Sequence, residues 1–221
     1  MKKRLIQSFL LSASALLLLI SVIFAWYTLS PSAGIEDFIV NVNKYDAILK
    51  LEVRKNGNEE DEYIEVLTQA DIQEVFYNTI PNDYLYFRFT VTNNSNNNIT
   101  ANIWLNDIRS INHSDYNMLN VFYLDGDGKI KVDNLDYELP GVDNISNEEV
   151  VLYGQTLETY RLSNILVNSR VNLVSSLAFA ANESKTIDFI IVFDYNTEAK
   201  GYEGGTLYIG SINAIFNTNG E

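Results

Sequence analysis

The chain has 221 residues, a formal net charge of −14, no cysteine, and 47% hydrophobic and 12% aromatic residues. The lack of cysteine excludes disulfides and thiolate metal sites, and the apolar fraction is typical of a chain that folds around a core. The negative charge makes nucleic acid and anionic membrane surfaces poor partners, because both repel a polyanion.

The first 29 residues have the composition of a signal peptide or of a membrane anchor. Basic residues occupy positions 2–4, and no charged side chain follows until Glu36. About 20 apolar residues span a bilayer, and a basic start followed by a leucine-rich run and small residues is also the layout of a secretory signal. The sequence favours cleavage near Ala25 over an uncleaved helix at residues 5–29, and both alternatives stay open. In either case the basic end stays in the cytoplasm and the rest is exported.

The exported part is more acidic than the whole chain. Three of the 15 Lys and Arg residues lie at positions 2–4 and none of the 29 acids precedes Glu36, so the part after residue 30 carries a net charge of −17. Residues 30–35 are interpreted as a linker and residues 36–221 as one domain. This domain is long enough to fold around a core without disulfides.

Alternation of apolar and polar residues predicts strands in the first half of the domain. Residues 36–42 and 49–53 alternate in this way, and the Asn-Gly pair that follows at 56–57 is typical of a turn. The pattern Thr-x-x-Asp at 68–71 resembles a capping box and predicts a short helix that ends before Pro81.

The clearest alternation in the chain predicts a β-hairpin. Residues 84–94 (YLYFRFTVTNN) follow a Pro-Asn-Asp turn and alternate strictly, with Tyr84 and Tyr86 on the partly exposed face. The Asn-rich stretch 93–98 is expected to connect this strand to a partner strand at 99–108.

The second half of the domain predicts further short strands. Residues 110–150 are interpreted as an insertion, and residues 163–181 fit either a short helix or two short strands. The expected strands are 118–124, 129–132, 150–153, 156–162, 187–193 and 206–216. Many short strands with one or two short helices predict an all-β antiparallel β-sandwich, jelly-roll or immunoglobulin-like, preceded by an N-terminal hydrophobic helix.

Three features together resemble the TasA/camelysin group of exported bacterial proteins. They are the motif FAWYT at 24–28, the Pro-x-Asp turn at 81–83 with the strand and Asn-rich segment after it, and the strand ESKTIDFII at 183–191. The likeness covers the signal and two blocks of the domain, and residues 110–180 lie outside it.

The resemblance implies a jelly-roll-like domain that a signal peptidase releases and that builds surface or biofilm fibres. In such fibres an N-terminal strand completes the sheet of the next subunit, which is a form of β-augmentation. Residues 36–42 are the candidate donor strand, in which Phe38, Val40 and Val42 would fill a neighbour's core at alternate positions. The alternative is that this strand pairs within its own domain.

The leading interpretation is therefore a non-enzymatic, exported structural protein of the cell surface or extracellular matrix that assembles with itself. It contacts the membrane only through residues 5–29. The first alternative is a membrane-tethered module that binds a glycan or a protein. The second is a camelysin-like metallopeptidase. The sequence supports it least, because zinc sites usually need two or three His or acidic ligands and His113 is the only histidine.

One acidic turn gives a metal hypothesis. The stretch LDGDGKI at 124–130 resembles part of an EF-hand loop, but two of its ligand positions lack the required oxygens. A hairpin turn explains it better. No cofactor is expected other than calcium bound loosely by Asp125, Asp127 and Asp133.

Three aromatic residues form the remaining candidate site. Tyr84 and Tyr86 on the exposed face, with Trp104 on the following strand, offer flat rings of the kind that stack on a sugar. Cross-strand packing that stabilises the sheet is the simpler explanation.

Overall fold

The structure is a computed structural model that describes residues 34–36, 39–43, 47–56, 62–76, 79–111, 117–125, 129–142, 145, 148–152, 155–194, 201–202 and 204–218. All of these residues belong to one compact unit, Ser32–Glu221. The segment interpreted as signal or anchor lies outside them. Within the described ranges, no helix is long and apolar enough to cross a membrane.

The described residues contain fourteen strands and two α-helices. The strands are β1 (Gly34–Glu36), β2 (Ile39–Asn43), β3 (Ala47–Lys55), β4 (Ile64–Glu65), β5 (Tyr84–Asn93), β6 (Ile99–Ile111), β7 (Phe122–Asp125), β8 (Lys129–Val132), β9 (Leu135–Glu138), β10 (Glu148–Leu152), β11 (Gln155–Arg161), β12 (Arg170–Phe179), β13 (Ser184–Phe193) and β14 (Thr206–Thr218). The helices are α1 (Gln69–Phe76) and α2 (Leu162–Ile165), and a 3₁₀ turn covers Met118–Asn120.

The strands form two sheets. The five-stranded sheet has the order β1-β14-β6-β12, with β2 also paired to β14, and the nine-stranded sheet has the order β10-β11-β7-β13-β5-β3-β4, in which β8 pairs with β13 and β9. Among the described strands, β1 and β2 run parallel to β14 and the other pairs are antiparallel. The prediction of a mainly antiparallel all-β fold with one or two short helices is confirmed.

One hydrophobic core contains buried residues of both sheets. In β5 buried and half-buried residues alternate strictly, so that Phe87 and Phe89 are buried. In β6 of the other sheet, Ile103 and Leu105 are buried in the same way. All four belong to a single cluster, and burial of each such side chain contributes about 1.5–3 kcal/mol. This shared core is therefore the main source of stability in a chain without disulfides.

The predicted hairpin between residues 84–94 and 99–108 is wrong. β5 pairs with β3 and β13 in the nine-stranded sheet, whereas β6 pairs with β12 and β14 in the five-stranded sheet. Residues 94–98 therefore carry the chain from one sheet to the other. The alternation of each strand shows which face is buried but does not specify the partner strand, and for this reason the pattern alone favoured a hairpin.

A buried asparagine holds this corner between the sheets. The amide nitrogen of Asn93 donates to the carbonyl oxygens of Asn97 (2.8 Å) and Ala180 (2.7 Å). Its amide oxygen accepts from the backbone nitrogen (3.1 Å) and the hydroxyl (2.7 Å) of Ser95. These bonds use the full hydrogen-bonding capacity of the amide, and they join the corner to the loop before β13.

The loop before β13 is closed by a carboxylate. The backbone nitrogen of Ala180 donates to Oε2 of Glu183 at 2.6 Å, and Lys185 Nζ lies 3.3 Å from Oε1. The hydrogen bond from Ala180, more than the neighbouring Lys185, lowers the pKa of Glu183. The backbone nitrogen of Asn182 also donates to the carbonyl oxygen of Ser95 at 3.2 Å. This bond joins the loop before β13 to the corner at residues 94–98.

The turn predicted at Pro81 is confirmed. Asn82 has a φ of 81°, which asparagine tolerates, and the Asp83 nitrogen donates to the Ile80 carbonyl oxygen at 3.1 Å. The buried Asp83 carboxylate accepts from the Ile80 nitrogen at 2.8 Å and lies 3.0 Å from Lys55 Nζ. The turn thereby ties the start of β5 to the end of β3.

The predicted capping pattern is also confirmed. Helix α1 begins directly after Thr68, and Oδ2 of Asp71 accepts from the backbone nitrogens of Thr68 (2.7 Å) and Leu67 (2.8 Å). These two bonds, that of Thr68 first, lower the pKa of Asp71. The helix packs Ile72 and Phe76 into the core.

The segment 110–150, interpreted as an insertion, contributes strands to the nine-stranded sheet. β7 lies between β11 and β13 and pairs with residues 191–193 of β13, whereas β8 pairs with residues 187–188 of β13.

The hairpin turn expected at 124–130 is not observed, because β8 pairs with β9 and not with β7 in the described residues. The hairpin turn lies instead at Asp133 and Asn134, which both have positive φ, as a two-residue type I′ turn requires. The ambiguous segment 163–181 contains most of α2 and all of β12.

Replacing the buried Asn93 by Ala is expected to destabilise the fold by about 1–3 kcal/mol, because two backbone carbonyl groups and the donors of Ser95 lose their hydrogen-bond partner. Replacing the neighbouring exposed Asn94 by Ala is expected to change the free energy of unfolding by less than about 0.5 kcal/mol. Urea unfolding followed by circular dichroism measures both variants. Equal, small effects at the two positions would contradict the role of Asn93.

Candidate functional site

The N-terminal strands form one edge of the five-stranded sheet. β1 pairs with residues 206–208 of β14, and β2 pairs with residues 211–215. The other side of β14 is paired with β6 along its whole length. Without residues 34–43, one side of β14 would present a row of unpaired N–H and C=O groups, which is a template for another strand.

This pairing places the predicted donor strand in its own domain. Val40 pairs with Ile212 and Val42 with Ala214, while Phe38 lies outside the described residues. Pairing within the domain, the alternative considered above, is the state that the structure contains. Parallel pairing is slightly less stable per residue than antiparallel pairing, and an edge strand has a neighbour on one side only. The strand is thus held less strongly than a central strand would be.

Two residues of the predicted linker lie in a strand. Gly34 and Ile35 were assigned to it, but they belong to β1 and pair with Thr206 and Leu207 of β14.

Tyr84 and Tyr86 lie on the outer face of the nine-stranded sheet, among arginines. Their rings are stacked, with centroids 6.2 Å apart. The guanidinium of Arg54 lies over the rings of Tyr86 (4.2 Å) and Tyr63 (4.9 Å), and that of Arg88 also lies over Tyr63 (4.2 Å). Two guanidinium groups therefore contact the Tyr63 ring, and each such cation–π contact contributes about 0.5–1 kcal/mol at an exposed site.

The charges on this face are paired across the strands. Arg88 Nε donates to Asp188 Oδ1 at 2.8 Å, and this hydrogen bond raises the pKa of Arg88. Burial raises the pKa of Tyr63, and the charges of Arg88 and Arg54 oppose that rise. Arg88 and Asp188 satisfy each other, and the two arginines contact the Tyr63 ring, which favours cross-strand stabilisation as the role of this face.

Trp104 lies on the other sheet, so the three aromatic residues do not form one face. Its neighbours in β6, Ile103 and Leu105, are buried in the shared core, and the Trp104 side chain projects from the opposite, outer side of the five-stranded sheet. Tyr84 and Tyr86 project from the outer side of the nine-stranded sheet. The sequence placed the three together only because β5 and β6 were expected to pair.

The structure also separates two of the three aspartates of the calcium hypothesis. Asp125 follows a residue that pairs with Ile191, and Asp133 follows a residue that pairs with Ile187. The two positions are therefore about 13 Å apart along β13. The Asp133 carboxylate accepts from the backbone nitrogen of Thr186 at 2.8 Å, so it closes the β8–β9 turn against β13.

The other groups considered for metal binding, Asp127 and His113, lie outside the described residues. Within those residues, no group of three His, Cys, Asp or Glu side chains is placed to hold a metal ion.

Comparisons with known proteins do not assign a family. No protein-family model matches the chain, and no curated protein matches it. One solved structure, described as "AvmM Catalyzes Macrocyclization in Alchivemycin A Biosynthesis", is similar with a TM-score of 0.26 and 12% identity, over 53% of this chain and 59% of that one. The chain thus spans less than two thirds of that protein, and a likeness this weak carries no argument about function.

Sequence reasoning missed the surroundings of Trp104. Asn102 and Asn106 lie two residues before and after it, and their alternation with buried residues indicates that all three share one face. The residues beside Trp104 on the neighbouring strands follow only from the register of the sheet.

Replacing Arg88 by Gln is expected to raise the pKa of Tyr63 further above the ordinary value of about 10, because a positive charge that favours the phenolate is removed. Titration of ¹³C-labelled tyrosine by NMR measures this change. The control is Arg109→Gln, since Arg109 lies over Tyr208 on the other sheet (4.3 Å) and its loss is expected to leave Tyr63 unaffected. A Tyr63 pKa that stays constant or falls in Arg88→Gln would show that the ring is not held by this cation.

Proposed function

We propose that this chain is a non-enzymatic, exported structural protein of the cell surface or extracellular matrix, and that it assembles by exchange of its N-terminal strand. The proposal includes the finer fold suggested by the sequence, a jelly-roll-like sandwich preceded by a hydrophobic signal or anchor helix. The three sequence features that resemble the TasA/camelysin group support it.

The observation that carries the proposal is the position of residues 34–43. They form an edge strand that is paired in parallel with the C-terminal strand β14. If the same residues of a second copy occupied this edge, the same backbone pairs would form in the same register. Closed and exchanged states then differ little in strand-pairing energy, which is the usual basis of domain swapping.

Charge sets a condition on such assembly. The exported part carries a net charge of −17, so two copies repel each other. Salt screens this repulsion, because the Debye length falls from about 30 Å at 0.01 M to about 8 Å at 0.15 M ionic strength. Self-assembly is therefore expected to require physiological or higher ionic strength.

The lack of cysteine allows a direct test with an introduced disulfide. Asn41 and Asn213 have paired Cα positions in β2 and β14, a separation that a disulfide spans. When Asn41→Cys/Asn213→Cys is oxidised as a monomer, the strand is locked in its own domain, and fibre growth seen by electron microscopy is expected to stop. Reduction is expected to restore it.

Oxidation after assembly shows whose strand occupies the edge. If the reduced double variant assembles first, each disulfide joins two subunits, and a non-reducing gel is expected to show a ladder of covalent multimers. The control Asn41→Cys/Asn217→Cys moves the second cysteine by four residues, about 13 Å along β14, and is expected to form few crosslinks. Fibre growth by the locked monomer at the wild-type rate would overturn the proposal.

A further inference from the structure

Trp104 lies on the outer face of the five-stranded sheet with asparagine at each of its four nearest positions. Asn102 and Asn106 precede and follow it on the same face of β6. Asn213 of β14 and Asn172 of β12 are its partners across the sheet. Neighbours across a sheet lie about 5 Å apart and alternate residues along a strand about 7 Å apart. We call these five residues the amide face.

The asparagines of the amide face keep unused hydrogen-bonding groups. Asn102 Oδ1 accepts from the backbone nitrogen of Ser176 (2.8 Å), and Asn106 Oδ1 accepts from Arg170 Nε (2.9 Å). In the part of the chain that the structure describes, neither amide nitrogen donates to a protein group, and the exposed Asn172 side chain has no protein partner. Donors and acceptors thus surround the ring.

The ring itself is not placed for maximal stability. The indole nitrogen of Trp104 is shielded from solvent and has no hydrogen-bond acceptor among the described residues. A buried donor without a partner costs about 1–3 kcal/mol. Arg170 borders the ring, with its guanidinium 5.7 Å from the ring centroid. A tryptophan with an unpaired indole nitrogen on an outer face is a candidate for contacts with another molecule.

The strands that carry the amide face are almost free of acidic residues. Of the 29 acids in the chain, β6, β12 and β14 together contain one, Asp107. The rest of the exported part holds the negative charge. The face therefore lacks carboxylates to bind a cation or a basic peptide. Of the two basic residues on these strands, Arg109 lies 3.5 Å from Asp107 and Arg170 donates to Asn106. The negative charge of the rest of the protein repels an anionic chain, so an uncharged polar ligand fits this face best.

We propose that the amide face binds a neutral polysaccharide chain. The C–H face of a pyranose stacks on a flat aromatic ring, and the hydroxyls around that pyranose act as donors and acceptors, roles that carboxamides complement in both directions. An open sheet face suits an extended chain. A protein interface would need an apolar centre, whereas Ile215 is the only exposed large hydrophobic residue on these three strands among those described.

Polysaccharide binding does not depend on strand exchange. β6, β12 and β14 belong to the same subunit whether the strand beside β14 comes from its own chain or from a neighbour. Either proposal can therefore fail without the other.

Isothermal titration of the full-length protein, in a detergent without a sugar headgroup, tests the amide face. The probes are cellohexaose and N-acetylchitohexaose as neutral chains and hexagalacturonate as an anionic chain. At least one neutral probe is expected to bind, with dissociation constants in the micromolar to millimolar range, and hexagalacturonate is expected not to bind.

Substitutions locate the site. Trp104→Ala is expected to weaken binding of the neutral probe at least roughly tenfold, and Asn172→Ala, on the exposed edge strand, roughly two- to tenfold. Tyr86→Ala is the matched control, because it removes an outward-facing aromatic ring from the other sheet, and binding is expected to be unchanged. Circular dichroism checks that each variant is folded, and Asn172→Ala carries the test if Trp104→Ala unfolds.

Four results would overturn the proposal. The first is that neither neutral probe binds, and the second is that hexagalacturonate binds as tightly as they do. The third is that the amide-face variants bind like the wild type or no more weakly than Tyr86→Ala. The fourth comes from sedimentation equilibrium: self-association that Trp104→Ala abolishes, without any hexasaccharide binding, would make the face an interface between copies of this chain.

Discussion

The fold depends on the hydrophobic core that its two sheets share. Alternation along β5 and along the first part of β6 puts Phe87 and Ile103 on inner faces, and Phe87 stacks on Phe189 of β13 with ring centroids 4.8 Å apart. Because both inner faces are committed to this core, interactions with other molecules are left to the sheet edges and the outer faces. The edge at β14 carries the N-terminal strand, and the outer face of the same sheet carries Trp104.

Buried polar side chains determine how the strands are distributed between the sheets. Asn93 fixes the corner at which the chain leaves one sheet for the other, and Asp83 fixes the turn that starts β5. A buried amide or carboxylate must find hydrogen-bond partners, so each of these residues permits few local geometries. The need of buried polar groups for hydrogen-bond partners accounts for polar residues in the segment 93–98, where Asn93 bonds to Ser95 and Asn97. This first asparagine is buried and fully hydrogen-bonded.

Much of the strand content could be predicted from the sequence, because alternation records which side of a strand meets the core. The strand at 84–94 was found in this way. The strands at 187–193 and 206–216 were also predicted, and the cap at Asp71 followed from the Thr-x-x-Asp pattern. Strand partners could not be predicted, since register depends on contacts between residues distant in the sequence. The expected hairpin was wrong for this reason. Trp104 could be assigned to an outer face, but the neighbours that complete the amide face come from β12 and β14.

Electron cryo-microscopy of native assemblies tests strand exchange most directly. The map is expected to show a parallel strand beside β14 that is formed by residues 34–43 and connects to the adjacent subunit, with Asn41 opposite Asn213. A map in which this strand connects to its own subunit would contradict strand exchange, as would native material that consists of monomers alone.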